Sequence, residues 1–237
     1  YDILAETLFS GEIAGDPDDF AHQVDHLFET MGRVDPLDLI GAPDWLPRIA
    51  RLRGRRALGF FRSLVAETMR MRKDKLANDP DGSPNDFLTL LLKAEGPDGL
   101  SASEIEDNII TFIGAGHETT ARALGWTLYC LAEAPWERER VEAEIDEVVA
   151  TVPDPYEWLG RMPCARAAFE EAMRLYPPAA SISREAVQAE RWRDLDIVAG
   201  TQIQIMPWTI HRHRRLWEEP DAFLPERCHP EHRDAMD

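Results

Sequence analysis

The stretch Ser101 to Ala134, SASEIEDNIITFIGAGHETTARALGWTLYCLAEA, constrains the fold most. It reads as one long helix. Ser101 and Glu104 stand at capping-box spacing, so the hydroxyl can accept a first-turn amide while the carboxylate reaches back. Pro135 cannot continue a helix and ends it. Ile105, Ile109, Phe112, Ile113, Ala123, Leu124, Leu128 and Leu131 recur at helical spacing. At about 1.5 Å per residue such a helix crosses a whole domain. Its centre conflicts with that apolar run. Gly114, Ala115 and Gly116 lie in the interior, where each glycine costs roughly 1 kcal/mol relative to alanine. A helix that carries them lets something approach its backbone closely. His117, Glu118, Thr119 and Thr120 follow, and an acid with two hydroxyls there has to be paired, wet or functional. Two readings stay open. One is a flat ligand lying on the small residues with a proton path beside it. The other is a helix–helix crossing at the glycines, with the polar residues facing a water pocket.

Composition narrows the partners. The 237 residues are enough for one good-sized domain, and a 44% hydrophobic share excludes a disordered chain. The net charge of −18, from 26 basic and 44 acidic residues, argues against nucleic acid, because phosphate contact needs clustered Lys and Arg. Cys130, Cys164 and Cys228 are odd in number and widely spaced. They form no disulfide framework and point to a reducing compartment, so the expected location is the cytoplasm. No apolar run reaches the roughly 20 residues of a membrane span, and no signal peptide opens the chain.

The rest of the chain reads as mainly helical. Tyr1 to Phe9 resembles the tail of a helix. Asp19 to Met31 is a helix with Phe20, Val24, Leu27 and Phe28 on one face, and His22 and His26 at i, i+4 are read as part of its solvated side rather than as a metal pair. Pro36, Gly41, Pro43 and Pro47 mark an irregular connection anchored by Trp45 and Leu46. Pro47 to Ala77 is a second long helix. Its Arg48, Arg51, Arg53, Arg55, Arg56, Arg62, Arg70, Arg72 and Lys73 are expected on a solvated face, with Leu52, Leu58, Phe61, Leu64, Val65 and Met69 inward. Asp86 to Ala94 is a short apolar helix. After Pro135, Trp136 to Val149 is amphipathic, Thr151 to Gly160 is a loop or short turn, and Pro163 to Tyr176 is a helix stopped by Pro177 and Pro178. Beyond it Ser181 to Val187, Asp196 to Val198 and Thr201 to Met206 are short and β-branched or alternating, a small sheet appended to a helical body. Residues 207–237 read as irregular.

Two further motifs carry information. Glu171 and Arg174 stand at i, i+3 in an apolar helix, so they share a face. Buried near Phe169, Met173 and Leu175, each charge needs full pairing. Residues 210–228, IHRHRRLWEEPDAFLPERC, present His211, Trp217, Pro220, Phe223, Pro225, Glu226 and Arg227 in order. With Ala115-Gly116-His117-Glu118-Thr119-Thr120 and EEAMRLYPP, this set resembles the cytochrome P-450 haem-thiolate monooxygenases, in a bacterial-type form. The position after Arg227 departs from the pattern, being Cys228 where an aromatic is usual.

The resemblance implies a mainly α fold, as a single partial domain over residues 1–237: a helical body over 1–180, a small sheet over 181–206 and an irregular Pro-Glu-Arg segment over 207–237. It implies oxygen insertion into a small apolar substrate, with haem, O2 and electrons from NAD(P)H through a ferredoxin or flavin reductase. Ala115 and Gly116 would let haem approach. Thr119 would hydrogen-bond bound oxygen and Glu118 would relay protons. Glu171, Arg174 and Arg227 would form a structural triad, and Arg184 would meet a haem propionate. Pro178, Ala179, Ala180, Ser181 and Ile182 would border the substrate pocket. On the same resemblance the family's early helices, the first part of its sheet and the loop bearing the iron-ligating cysteine are expected to lie outside this chain, which by itself would be inactive. Cys130 and Cys164 are read as small core residues. Three other readings stand beside this one. One is a non-catalytic helical remnant or interaction module. Another is a metal-dependent helical enzyme, for which no HExxH or DDxxD run is found. The third is a zinc site from Cys228, His229 and His232 with His211 or His213, of which only one half has ligand spacing.

Overall fold

The computed structural model describes residues 2–31, 37, 43, 46 and 49–230. Helices α1 (Asp2–Phe9), α2 (Pro17–Met31), α3 (Ile49–Asn78) and α4 (Phe87–Lys93) precede the long helix α5 (Ala102–Glu133). Then come α6 (Pro135–Thr151), α7 (Pro155–Arg161), α8 (Pro163–Leu175), strands β1 (Ile182–Glu185), β2 (Glu190–Trp192), β3 (Leu195–Ile197) and β4 (Gln202–Ile205), a short helix α9 (Pro207–Ile210) and a 3-10 turn (Pro225–Cys228). The chain forms two compact units, Tyr1–Glu118 and Thr119–Asp237. The connection read around Pro36, Gly41, Trp45 and Pro47, and also His232, lie outside the described residues, as do the side chains of Leu27, Phe28, Leu52, Arg48, Arg51, Arg53 and Arg56.

In the first unit the core joins Leu4 and Phe9 of α1, Phe20 and Val24 of α2, Phe61, Leu64 and Val65 of α3, Leu88 of α4, and Ile105, Ile109 and Ile113 of α5. The last three are spaced by four, which keeps them on one face. Phe20 meets Phe61 edge-on, with centroids 5.6 Å apart. The capping box forms as the spacing requires: the Ser101 amide donates to Glu104 Oε2 at 2.8 Å, and the Glu104 amide donates to Ser101 Oγ at 3.3 Å. We expect Ser101→Ala to destabilise the chain by about 1 kcal/mol, read as a lower denaturation midpoint. No change would mean that the box is not what starts α5.

Among its described side chains, the arginine-rich helix departs from expectation at Arg72. Arg72 is 1% exposed. It continues the inward row of Phe61, Leu64, Val65, Thr68 and Met69 at steps of three and four, so geometry carries it inside whatever its charge. There it meets carboxylates from two other segments. Nη1 lies 2.6 Å from Asp86 Oδ1, Nη2 3.1 Å from Glu12 Oε2, and Nη1 and Nη2 also donate to Thr89 Oγ1 and the Phe9 carbonyl at 2.8 and 2.9 Å. Asp86 also caps α4, accepting the Thr89 amide at 3.0 Å. Arg62 and Arg70 are exposed, as expected.

In the second unit Leu131, Val141 and Ala168 form the centre, with Cys164, Ala165 and Phe223 packed on it. Glu144 of α6 starts α8 from outside, accepting the Cys164 and Ala165 amides, each at 2.9 Å. The loop or turn read at 151–160 contains helix α7. Asp154 caps it and Pro155 opens it, but Tyr156 and Leu159 are 96% and 82% exposed, so no buried stripe betrays it. The strand region holds two antiparallel ribbons. β1 pairs with β4 (Ile182↔Ile205, Arg184↔Ile203), and β2 pairs with β3 (Glu190↔Ile197, Trp192↔Leu195). β2, reading ERW, is exposed throughout and lacks the alternation by which strands are read.

Candidate haem-side helix and buried ion pair

Along α5 the burial pattern breaks where the composition does. Ile105, Ile109 and Ile113 are buried, then Ala123, Thr127, Cys130 and Leu131; no residue from 114 to 122 is buried. Phe112, Leu124 and Leu128, read as part of the apolar stripe, are 46%, 51% and 60% exposed. Ala115, Gly116 and Thr119 are exposed and Glu118 is half-buried. A Cβ added at Gly114 meets nothing within 4 Å, and one at Gly116 meets only Leu4 Cδ1 at 3.5 Å. Neighbours within the described chain therefore do not explain the glycines. A flat group laid on this face fits them, with an acid and an alcohol beside it.

The second assembly is the Glu171–Arg174 pair. Their side chains are 0% and 4% exposed. Arg174 grips Glu171 with two parallel bonds, Nε to Oε2 at 2.7 Å and Nη2 to Oε1 at 2.9 Å, the fork geometry of a strong pair. The remaining guanidinium hydrogens go to the carbonyls of His211, Pro220 and Ala222 at 2.6, 2.8 and 3.0 Å. Glu171 in turn accepts the Leu224 amide at 3.0 Å. The helix pair thus pins the whole 211–224 segment. Arg227 approaches at longer range, its Nε 3.5 Å from Glu171 Oε1, and donates Nη2 to the Glu219 carbonyl at 3.0 Å. Cys228 lays its thiol 3.9 Å from Glu171 Oε2. Trp217 lies against the Arg174 guanidinium at 4.9 Å, and His211 Nδ1 is 3.2 Å from the Arg174 carbonyl. Those carbonyl contacts have no sequence signal, because any residue can supply them.

Among the other residues singled out, Arg184 is exposed on β1, with Nη1 donating to the Ser183 carbonyl at 2.8 Å. Ser181 donates to Gln204 Oε1 at 3.0 Å, across the β1–β4 ribbon. Pro178 and Ile182 are half-buried, and Ala179, Ala180 and Ser181 are exposed between α8 and β1. The Cys130 thiol is pushed up to about 11 by burial and by the nearby Glu171 charge. It stays protonated at neutral pH, which suits a core residue and not a thiolate ligand. Burial, then Glu144, raises Cys164 likewise. Among the described residues no three His, Cys, Asp or Glu side chains converge as a metal site would require, and no helix is long and apolar enough to cross a membrane.

A sequence profile described as cytochrome P-450 matches residues 1–235. The chain belongs to the cytochrome P-450 family. It is 32% identical over 201 residues to cyclooctatin synthase of Streptomyces melanosporofaciens, covering 84% of this chain and 42% of that protein. It is 29% identical over 238 residues to pentalenene oxygenase of Streptomyces avermitilis, covering 98% of this chain and 51% of that one. Among solved structures, the retinoic acid-bound cyanobacterial CYP120A1 superposes with a TM-score of 0.80 at 23% identity, over 100% of this chain and 51% of that one. The haem domain of cytochrome P-450DA superposes at 0.76 and 25% identity, over 98% of this chain and 50% of that domain. The chain spans about half the length of these relatives, or less. The cytochrome P-450 family implies haem as cofactor, and the open space beside Gly114 and Gly116 of α5 is compatible with the approach of a flat group.

Proposed function

We propose that the protein of which this chain forms part inserts oxygen into a small apolar molecule, using haem, O2 and electrons from NAD(P)H through a ferredoxin or flavin reductase. The observation that carries this reading is the stretch of α5 from 114 to 122, small and unburied at the glycines and furnished with Glu118 and Thr119. Haem held by a thiolate supplies dioxygen activation. The residues of this chain then divide the remaining work. Ala115 and Gly116 admit a flat group to the helix surface. The Thr119 hydroxyl holds a proton and the Glu118 carboxyl, one residue back, resupplies it, which is general acid work by positioned groups. Arg184 offers a cation to the carboxylates of the bound group. Pro178 to Ile182 border the substrate, and Pro178, Ala179, Ala180 and Ile182 give that border the apolar surface a small apolar substrate needs. Glu171, Arg174 and Arg227 hold the segment that follows α8 in place. We read residues 1–237 as parts of one domain, supported by the continuous match over 1–235, and place the protein in the cytoplasm, supported by three cysteines that form no disulfide.

Thr119→Ala in the full-length protein tests the proton role. Electron and oxygen consumption should continue while product per electron falls by roughly 10²-fold, the lower end of what positioned acid–base groups contribute. Unchanged coupling would remove Thr119 from the mechanism.

A further inference from the structure

Three redox-active rings and a guanidinium lie in series in the second unit, apart from the residues assigned above. Trp126 of α5 stacks flat on Tyr176 at the end of α8, with centroids 4.0 Å apart and planes 7° from parallel. Tyr129, one turn further along α5, meets the same indole edge-on, with centroids 5.6 Å apart at 89°. The Arg212 guanidinium lies 5.4 Å from the Tyr176 centroid and 4.5 Å from that of Trp208. Packing does not account for the arrangement. Trp126 is 40% and Tyr129 51% exposed, and neither joins the core cluster around Leu131. Tyr129, Trp126 and Tyr176 touch in that order; Tyr176 is half-buried, and exposure is greatest at Tyr129.

Indole and phenol are the side chains that most readily give up a single electron, and ring contact of this kind couples them. We propose that Trp126 and Tyr129 form a relay that carries a one-electron oxidation from the Trp126–Tyr176 stack to the surface at Tyr129. Arg212 gives the relay its direction: its guanidinium, 15% exposed and paired at 3.6 Å with the solvent-screened, 75% exposed Asp221, stands beside Tyr176 and opposes a second positive charge on that ring, leaving Trp126 as the better donor. The steps balance. An outer-sphere one-electron oxidant takes an electron from the Trp126 ring and is itself reduced by one. The indole radical cation takes an electron from Tyr129. The Tyr129 phenol, half in solvent, loses its proton to water and remains as a neutral phenoxyl radical. The relay is independent of the monooxygenase reading, since any oxidant of this class starts it.

The test is photochemical. Tris(bipyridine)ruthenium(III) is generated by a flash in a solution of the chain, with a cobalt(III) ammine as sacrificial acceptor, and oxidation at Tyr129 is counted by peptide mass spectrometry. Trp126→Phe and Trp126→Tyr are compared with the parent; both replace the indole with a single ring, and only tyrosine is redox-active. The relay requires Tyr129 oxidation to fall severalfold in Trp126→Phe and to recover in Trp126→Tyr. Tyr156, 96% exposed and outside the stack, serves as the internal standard for direct attack. Equal Tyr129 oxidation in the two variants, or no fall in Trp126→Phe, overturns the proposal.

Discussion

Glu171→Gln is expected to lower the stability of the chain by about 3–5 kcal/mol, the usual cost of removing one partner of a buried ion pair. Against a typical total of about 5–15 kcal/mol this is a fifth or more. The size follows from what is left behind. Arg174 stays 4% exposed with its charge uncompensated, and a neutral amide cannot present two acceptors to its fork. The Leu224 amide loses a charged acceptor at 3.0 Å and Arg227 loses its carboxylate. Urea unfolding followed by tryptophan fluorescence reads the change well, because Trp217 packs on the Arg174 guanidinium. Arg227→Ala should cost distinctly less. That side chain is 14% exposed and stands 3.5 Å from the carboxylate, outside good hydrogen-bonding distance. If Arg227→Ala matches Glu171→Gln, the three residues share the load evenly and the picture of a fork with a peripheral third member fails.

These two positions also show what can be read from residues alone. Glu171 and Arg174 are legible because they repeat at i, i+3 on an apolar face just before two prolines, and a charge pair so placed has few outlets other than each other. The partner that fixes them is not legible. It is a set of backbone carbonyls from His211, Pro220 and Ala222, which carry no side-chain signature. The unburied middle of α5 is half legible. Glycines and an acid–alcohol pair mark it as unusual, yet Leu124 and Leu128 lie exposed on the same helix at spacing that reads as core. Periodicity reports which residues share a face. It does not report whether anything covers that face. The ribbons show the same limit from the other side: β2 buries none of its residues, so no alternation marks it, and only its backbone pairing with β3 defines it.

Arg72 is the hardest case, and its substitution gives the second large effect. By composition it is one cation in a basic helix; by position it continues the inward row. Arg72→Met keeps most of the volume and removes the charge. It leaves Asp86, whose side chain is 6% exposed, without its cation, while Glu12, 34% exposed, keeps its pair with Lys75, and it frees the Thr89 hydroxyl and the Phe9 carbonyl. We expect a loss of about 3–5 kcal/mol, as for any buried pair broken from one side. The pH dependence distinguishes this origin from simple mispacking. Burial pushes the Asp86 carboxyl up, but the Arg72 guanidinium, the Thr89 amide and the Ser10 hydroxyl outweigh it and hold the group below its ordinary value. A carboxyl depressed in the folded state contributes stability that is complete above its unfolded pKa of about 3.9 and is lost as pH falls through the folded value. In the parent chain that loss therefore comes only in strong acid. Without Arg72, burial dominates and the Asp86 carboxyl rises, so the acid-unfolding midpoint of Arg72→Met should move to higher pH. Adding Asp86→Asn should remove most of that shift while recovering part of the stability, because no unpaired charge then remains in the site. An acid midpoint that stays put in Arg72→Met would mean that Asp86 does not depend on Arg72, and the junction of α1, α3 and α4 would then rest on its apolar contacts.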